Sequence, residues 1–366
     1  MIDRRIMPFL LIGLLAFAGC GPAATEKDKD TLVVGFIYIG ARDDFGYNQA
    51  HAIGAGAVKK MPGVQVKEEE TVADTMDVQK TMKSMIELSK ATVIFPTSFG
   101  YFDPHVLRMA AKYPNVKFIH CGGMLDEKQY PANVSTYFGF IDECQYLSGI
   151  VAAHATKSKK LGFVAGKAIP QVRRNINAFL MGARSIDPDI TCTVIFTGDW
   201  SLSVKEAEST LNLIDQGIDV MTCHVNSPKV VIELSERRGI YTCGYHANQA
   251  TLAPKKYLTG AEWNWEKIYT DYVNTIRAGQ WKPGLVRGGL KEGFVRMSEY
   301  GPEATPKARE AADAVKAKLL DGSFVIFKGP LKDNAGKIVI PEGTSLQQAA
   351  PELEKMEYLV EGVIGR

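Results

Sequence analysis

The residues best suited to chemistry crowd into one turn, Gly40–Gln49, which reads Gly-Ala-Arg-Asp-Asp-Phe-Gly-Tyr-Asn-Gln. Asp44, Phe45, Tyr47 and Asn48 there combine a carboxylate, two rings and an amide, a mixture that grips a small planar polar molecule. Asp44 can accept from a ligand N–H, and a mismatched ligand would leave its buried charge unpaired. The same residues also suit a plain polar loop. The flanking sequence sets this turn between a strand and a helix. Leu32–Ile39 is an apolar run fit for a strand buried on both faces, and Asn48–Lys60, rich in Ala and Gly and free of Pro, fits a closely packed helix. In open α/β sheets, ligands bind outside the carboxyl ends of strands, where such a turn lies.

Other aromatic residues fall at strand ends or just after them: Phe99, Tyr101, Trp200, Tyr245, Trp263 and Trp265. One of Phe99 and Tyr101 is expected in the core, because both adjoin an apolar strand. Trp200 follows Thr197-Gly198-Asp199, where an exposed indole is otherwise hard to justify. Stacking on such rings contributes about 1–3 kcal/mol per base in single-strand binders. Ser98, Asn177, Asn226 and Asn248 add polar groups for the edges of a ligand, and Glu143 opens a helix at an expected crossover, where holding the hinge is an alternative role.

Catalytic patterns are missing. No nucleophile stands beside a base, and the carboxylates do not cluster. His51, His105, His120, His154 and His224 are scattered, so no metal is expected. Gly54 and Gly56 lie inside a helix pattern and make no phosphate loop. The reading is a binding protein without cofactor, not an enzyme. A net charge of +2 with no basic stripe argues against nucleic acid. Besides Cys20, the cysteines are Cys121, Cys144, Cys192, Cys223 and Cys243; none are spaced Cys-x-x-Cys, and most sit in apolar runs as small hydrophobes.

The positioning elements alternate. Strands are expected at Leu32–Ile39, Val64–Val72, Thr92–Thr97, Val116–Gly122 and Val134–Phe140, with helices at Asn48–Lys60, Thr75–Lys90 and Asp103–Tyr113, the last capped by Asp103-Pro104. A helix at Asp142–Lys157 leads to a second series. Its strands are Leu161–Ala165, Cys192–Thr197, Val220–Val225 and Ile240–Tyr245, with helices Pro170–Ile186, Ser203–Gln216 and Pro228–Arg238. The pattern predicts an α/β protein with parallel sheets in two similar lobes. The tail adds a strand at Tyr257–Trp263, helices at Trp265–Gly279 and Ala304–Asp321, and a hairpin between Gly322–Phe327 and Gly336–Pro341.

Residues 1–19 read as a signal peptide, with Arg4 and Arg5 ahead of the apolar stretch Pro8–Phe17. Phe17-Ala18-Gly19-Cys20 resembles the bacterial lipobox, which implies lipidation of Cys20, a tether over residues 20–30 and an extracytoplasmic, membrane-anchored protein, in the periplasm or on the outer face of the cell membrane.

From about Val33 to Gly343 the order of signals resembles the basic membrane protein (PnrA-like) family of solute-binding lipoproteins of ABC importers. The resemblance rests on Tyr47-Asn48-Gln49, Ile94–Tyr101, Pro131–Ser135, Glu143 with Tyr146–Gly149, Ile214–Val220 and Phe327–Asp333. It implies the type I periplasmic-binding fold, two Rossmann-like lobes joined by three crossovers, expected near residues 140, 260 and 325. Lobe 1 would comprise residues 31–140 and 262–324, and lobe 2 residues 141–261 and 325–366. It also implies a purine ligand and an ABC permease as partner. The family's nucleoside receptors hold ribose with a carboxylate in a Gly-Val-Asp-x-Asp-Gln motif; the run here is Gly244-Tyr245-His246-Ala247-Asn248-Gln249, with His246 and Asn248 in place of the acids. A Lys of those receptors falls at Trp263. The resemblance therefore implies a free base such as adenine, with a nucleoside receptor or an extracytoplasmic sensor as the alternatives.

Overall fold

The computed structural model describes residues 31–123 and 130–365. The signal peptide, the tether and Cys20 lie outside them. Leu32–Arg366 is one compact unit with both sheets and its own core.

The first series comprises β1 (Leu32–Ile37), α1 (Tyr47–Lys59), β2 (Val64–Glu69), α2 (Met76–Glu87), β3 (Val93–Pro96), α3 (Leu107–Lys112), β4 (Lys117–Cys121) and β5 (Val134–Gly139). The second comprises α4 (Asp142–Ala155), β6 (Lys160–Ala165), α5 (Pro170–Arg184), β7 (Thr191–Phe196), α6 (Ser203–Asp215), β8 (Val220–His224), α7 (Lys229–Arg237), β9 (Tyr241–His246) and β10 (Tyr257–Trp263). Then follow α8 (Trp265–Arg277), β11 (Leu285–Gly288), β12 (Val295–Met297) and α9 (Pro306–Asp321). The first sheet runs β11-β5-β4-β3-β1-β2 and is parallel. The second begins β12-β10-β9-β8-β6-β7, parallel except for β12. Each sheet is the centre of one lobe, as the alternating sequence predicts.

The first sheet is apolar on both faces. Val34, Phe36, Phe95 and Ile119 join the main core, and Phe36 stacks on Phe95 at 4.7 Å; Val33, Ile37, Ile94 and Phe118 face a second cluster under α2 and α3. This division follows from the alternation of side chains along a strand.

The strands change sheet after β5, after β10 and between β11 and β12. The last change, at residues 289–294, comes well before the expected crossing near residue 325, and α9 packs on α4 in the second lobe. Sequence missed it because β11 and β12 are four and three residues long and carry Arg287 and Arg296 in place of an apolar run.

Two local expectations are also corrected. The helix expected over Asp103–Tyr113 is broken: Phe99–Tyr101 is a 3-10 turn, Phe102–Val106 a wide π turn, and α3 begins only at Leu107. Asp103 is extended (φ −113°, ψ 123°), as the ring of a following Pro demands. In the tail, β13 (Phe327–Lys328), β14 (Leu331–Lys332), β15 (Ile338–Ile340) and β16 (Ser345–Leu346) pair as β14–β15 and β13–β16, so the hairpin arm is Leu331–Lys332 rather than Gly322–Phe327. A short α10 (Pro351–Glu354) leads to β17 (Val363–Ile364), which edges the second sheet beside β7. The five described cysteines are free and buried.

Candidate functional site

The turn after β1 caps α1 and reaches the second lobe. Asp44 accepts from the backbone N–H of Gly46 (2.9 Å), Asn48 (3.1 Å) and Gln49 (2.9 Å), and from Asn48 Nδ2 (2.8 Å). A carboxylate at a helix N-terminus is well placed for this. Burial pushes its carboxyl up, against those hydrogen bonds, which pull it down. Asp44 is thus committed to the helix start, and Asn48 Oδ1 accepts in turn from Gly40 N–H.

The lobes meet around this turn. Tyr47 N–H donates to Asn226 O (2.8 Å), Ser227 Oγ to Asp44 O (2.7 Å) and Gln249 Nε2 to Phe45 O (2.6 Å). Phe45 has φ 58° and carries the Lys229 ammonium 5.4 Å over its ring. Gly46 is packed so tightly on Asn226 and Pro228 that an added Cβ would lie 2.5 Å from Pro228 Cδ.

Behind the turn lies a cluster of rings. The Tyr47 hydroxyl donates to Thr97 O (2.5 Å), and its ring meets His51 at 4.6 Å and His246, from the second lobe, at 5.4 Å, edge-on in both cases. Trp263 ends β10 and Trp265 begins α8; their rings stack at 4.8 Å, and Trp265 stacks on His51 at 5.5 Å. Trp263 Nε1 donates to His246 Nδ1 at 2.8 Å. On the far side Tyr245 contacts His246 (4.0 Å) and His224 (4.5 Å), and its hydroxyl accepts from Asn175 Nδ2 (2.8 Å). Trp200, half-buried over Gly166, stands 5.8 Å from His224 with Lys167 5.9 Å from its ring.

Burial keeps the histidines neutral. It pulls His51 and His224 down to about 3 and His246 well below its usual range. The centre of the site is aromatic, uncharged and rich in hydrogen-bonding atoms.

The remaining candidates stand elsewhere. Tyr101 is buried in the second cluster, its hydroxyl on Val72 O, and so belongs to the core. Phe99 is 65% exposed. Ser98 is buried, its carbonyl accepting from His120 Nε2 (2.8 Å). Asn248 is exposed and turns its Oδ1 onto Ala250 N–H, while its neighbour Gln249 takes the buried place between the lobes. Asn177 holds the tail through Tyr358 O and Val360 N–H, and Asn226 Nδ2 reaches Ser201 Oγ (3.3 Å). Glu143 accepts from Leu290 N–H (2.7 Å), joining the first strand passage to the last.

His51, His224, Asn175 and Gln249 were not singled out as contact residues from sequence. His51 had a usable signal: it lies four residues after Tyr47, one turn on along the same helix face. Gly54, one turn beyond Ala50, lets α8 approach, since an added Cβ would lie 2.6 Å from the Tyr269 ring. Among the described residues no group of three His, Cys, Asp or Glu converges as a metal site, and no helix is long and apolar enough to cross a membrane.

Two parallel-sheet lobes, with the chain passing between them three times, define the type I periplasmic-binding class. The solved structure of a solute-binding protein from Conexibacter woesei shares the fold with a TM-score of 0.68 at 19% identity, over 80% of this chain and 98% of that one. The glucose-galactose binding protein of Geobacillus stearothermophilus does so at 0.53 and 15%, over 74% and 97%. Residues 31–334 match the family model described as Bmp, ABC transporter substrate-binding protein PnrA-like, and the chain belongs to that family. A purine-binding protein of Brucella abortus (strain 2308) is 32% identical over 97% of this chain and 98% of its own. The nucleoside-binding protein of a Lactococcus lactis ABC transporter is 23% identical over 59% of this chain and 66% of its own. The protein is therefore a solute-binding component of an ABC transporter, and its site binds rather than catalyses.

Proposed function

We propose that the protein binds a free purine base, adenine or a close analogue, between its lobes and delivers it to its permease while anchored through a lipidated Cys20. The observation that carries this reading is the Trp263–His246 pair. Where the family's nucleoside receptors resemble one another in placing a carboxylate and a Lys, this chain has an indole donating to a neutral imidazole. That pair offers flat apolar surface and no charge for ribose hydroxyls. The likeness to a purine-binding relative supports the same ligand class.

Contacts from both lobes give the ligand a means of favouring the closed form. Phe45 and Tyr47 come from the first lobe; Trp200, Tyr245 and His246 come from the second. Uptake of labelled adenine in cells lacking the gene tests the transport role. Reduced uptake, restored by the wild-type gene, supports it. Undiminished uptake with a lost adenine response assigns the protein to sensing instead.

A further inference from the structure

The aromatic centre contains two polar atoms that the protein leaves unpaired. His51 Nε2 and Trp265 Nε1 are both buried without a hydrogen-bond partner, in side chains 0% and 1% exposed. Their rings are parallel to within 1°, and they sit on the two first-lobe helices, α1 and α8, that Gly54 allows to pack closely. Most buried polar atoms in proteins are satisfied, so two orphans in one stack within a ligand-binding cleft point to a missing partner.

The rest of each ring is accounted for. His51 Nδ1 is 2.5 Å from the Tyr269 hydroxyl, which is 2.6 Å from the Tyr137 hydroxyl. This chain can run in either direction. With Tyr269 donating to Nδ1, His51 Nε2 carries the proton and donates; with Nδ1 donating to Tyr269, Nε2 accepts. Trp265 has no such freedom, because its indole N–H only donates.

We infer that Trp265 Nε1 and His51 Nε2 read one polar edge of the bound base, the indole fixing an acceptor nitrogen and the imidazole pairing with a neighbouring donor or acceptor. This rests on the base-binding reading above and names the atoms that give it selectivity. Trp265 then works as a specificity residue through its N–H, its ring being stacked on Trp263 and His51. His51, with its proton position set by the ligand, tolerates related bases that differ in one edge group. Such a site rejects a ring that presents only C–H to the indole, because the N–H is then left buried and unmet.

The test uses the compact unit Leu32–Arg366, with adenine and its 1-, 3- and 7-deaza isomers as probes in calorimetry, on the wild type, Trp265→Phe and His51→Leu. The wild type is expected to bind adenine and to lose about tenfold for the isomer that lacks the nitrogen facing the indole. In Trp265→Phe, which keeps a ring, adenine itself weakens by a similar factor and that isomer is no longer disfavoured. His51→Leu should weaken every base whose neighbouring edge group is polar. Melting curves establish that each variant is folded. If the wild type binds adenine and Trp265→Phe discriminates among the isomers as the wild type does, the inference falls while the base-binding reading stands. If the wild type binds none of these bases, both fall.

Discussion

Trp263 Nε1 donates to His246 Nδ1 at 2.8 Å, and this single bond ties the last residue of β10 to the last residue of β9 within the cleft. Both rings are almost fully buried. The bond uses the lone pair of a neutral imidazole, so it fixes which nitrogen of His246 can carry a proton: Nε2. A carboxylate and an ammonium at the same two positions would be a charged pair, which needs a polar ligand or solvent to offset its desolvation. In the reading proposed above, an aromatic wall takes the place of a sugar grip, in exchange for the charged pair.

Reversing that exchange should move the ligand preference. The double variant His246→Asp, Trp263→Lys is expected to weaken adenine by roughly tenfold or more, through loss of stacking, and to gain measurable binding of adenosine. Calorimetry with both ligands checks this, and the single variants should each be less stable than the double one.

Gly46→Ala should hold the lobes apart. Its Cβ would be forced against Asn226 and Pro228 of the second lobe. Small-angle scattering should then show a larger radius with ligand present than the wild type has, and affinity should fall by at least about tenfold, since ligand binding must now overcome the clash that opposes the closed state.

Gln249 joins the lobes through its amide. Nε2 donates to Phe45 O and to Tyr245 O, both at 2.6 Å, and Oε1 accepts from Tyr245 N–H at 2.9 Å. Gln249→Ala leaves those backbone groups unmet and should cost about 1–3 kcal/mol in urea unfolding. Gln249→Glu should be as harmful, because a carboxylate would face two carbonyl oxygens.

Glu143 makes stability depend on pH. Burial raises its carboxyl to about 7, with Asp142 and Glu292 adding to the rise and Leu290 N–H and Gln348 opposing it. The folded state therefore holds a proton that the unfolded state has already released. Stability from this group is full below about pH 4.5 and falls as pH rises, until it levels off above about 7. The loss amounts to about 3 kcal/mol at most. Glu143→Gln should flatten the stability profile between pH 5 and 8 and be more stable than the wild type at pH 8, as read by urea unfolding at each pH.

Much of the fold was legible because apolar runs of four to six residues alternate with amphipathic helices, and β1 and β6 each announce a sheet. β11 and β12 were not, since short strands held by their neighbours need no apolar run of their own. At the site, Tyr47, Tyr245, His246, Trp263 and Trp265 come together because strand ends converge on the cleft. Asn248 and Tyr101 do not join them. Where a loop turns its side chains depends on backbone angles that no spacing encodes, and one residue's difference exchanged Asn248 for Gln249. His51 was passed over because a lone histidine reads as core until its ring partners are known.

Binding of adenine against adenosine to the compact unit Leu32–Arg366, purified under denaturing conditions and refolded to remove any carried ligand, separates a base site from a nucleoside site. Adenine at a hundred times its dissociation constant is expected to stabilise the fold by about 2.7 kcal/mol, while adenosine at the same concentration leaves it unchanged. Stabilisation by adenosine equal to or greater than that by adenine would contradict it, because the Trp263–His246 wall would then not exclude a ribose.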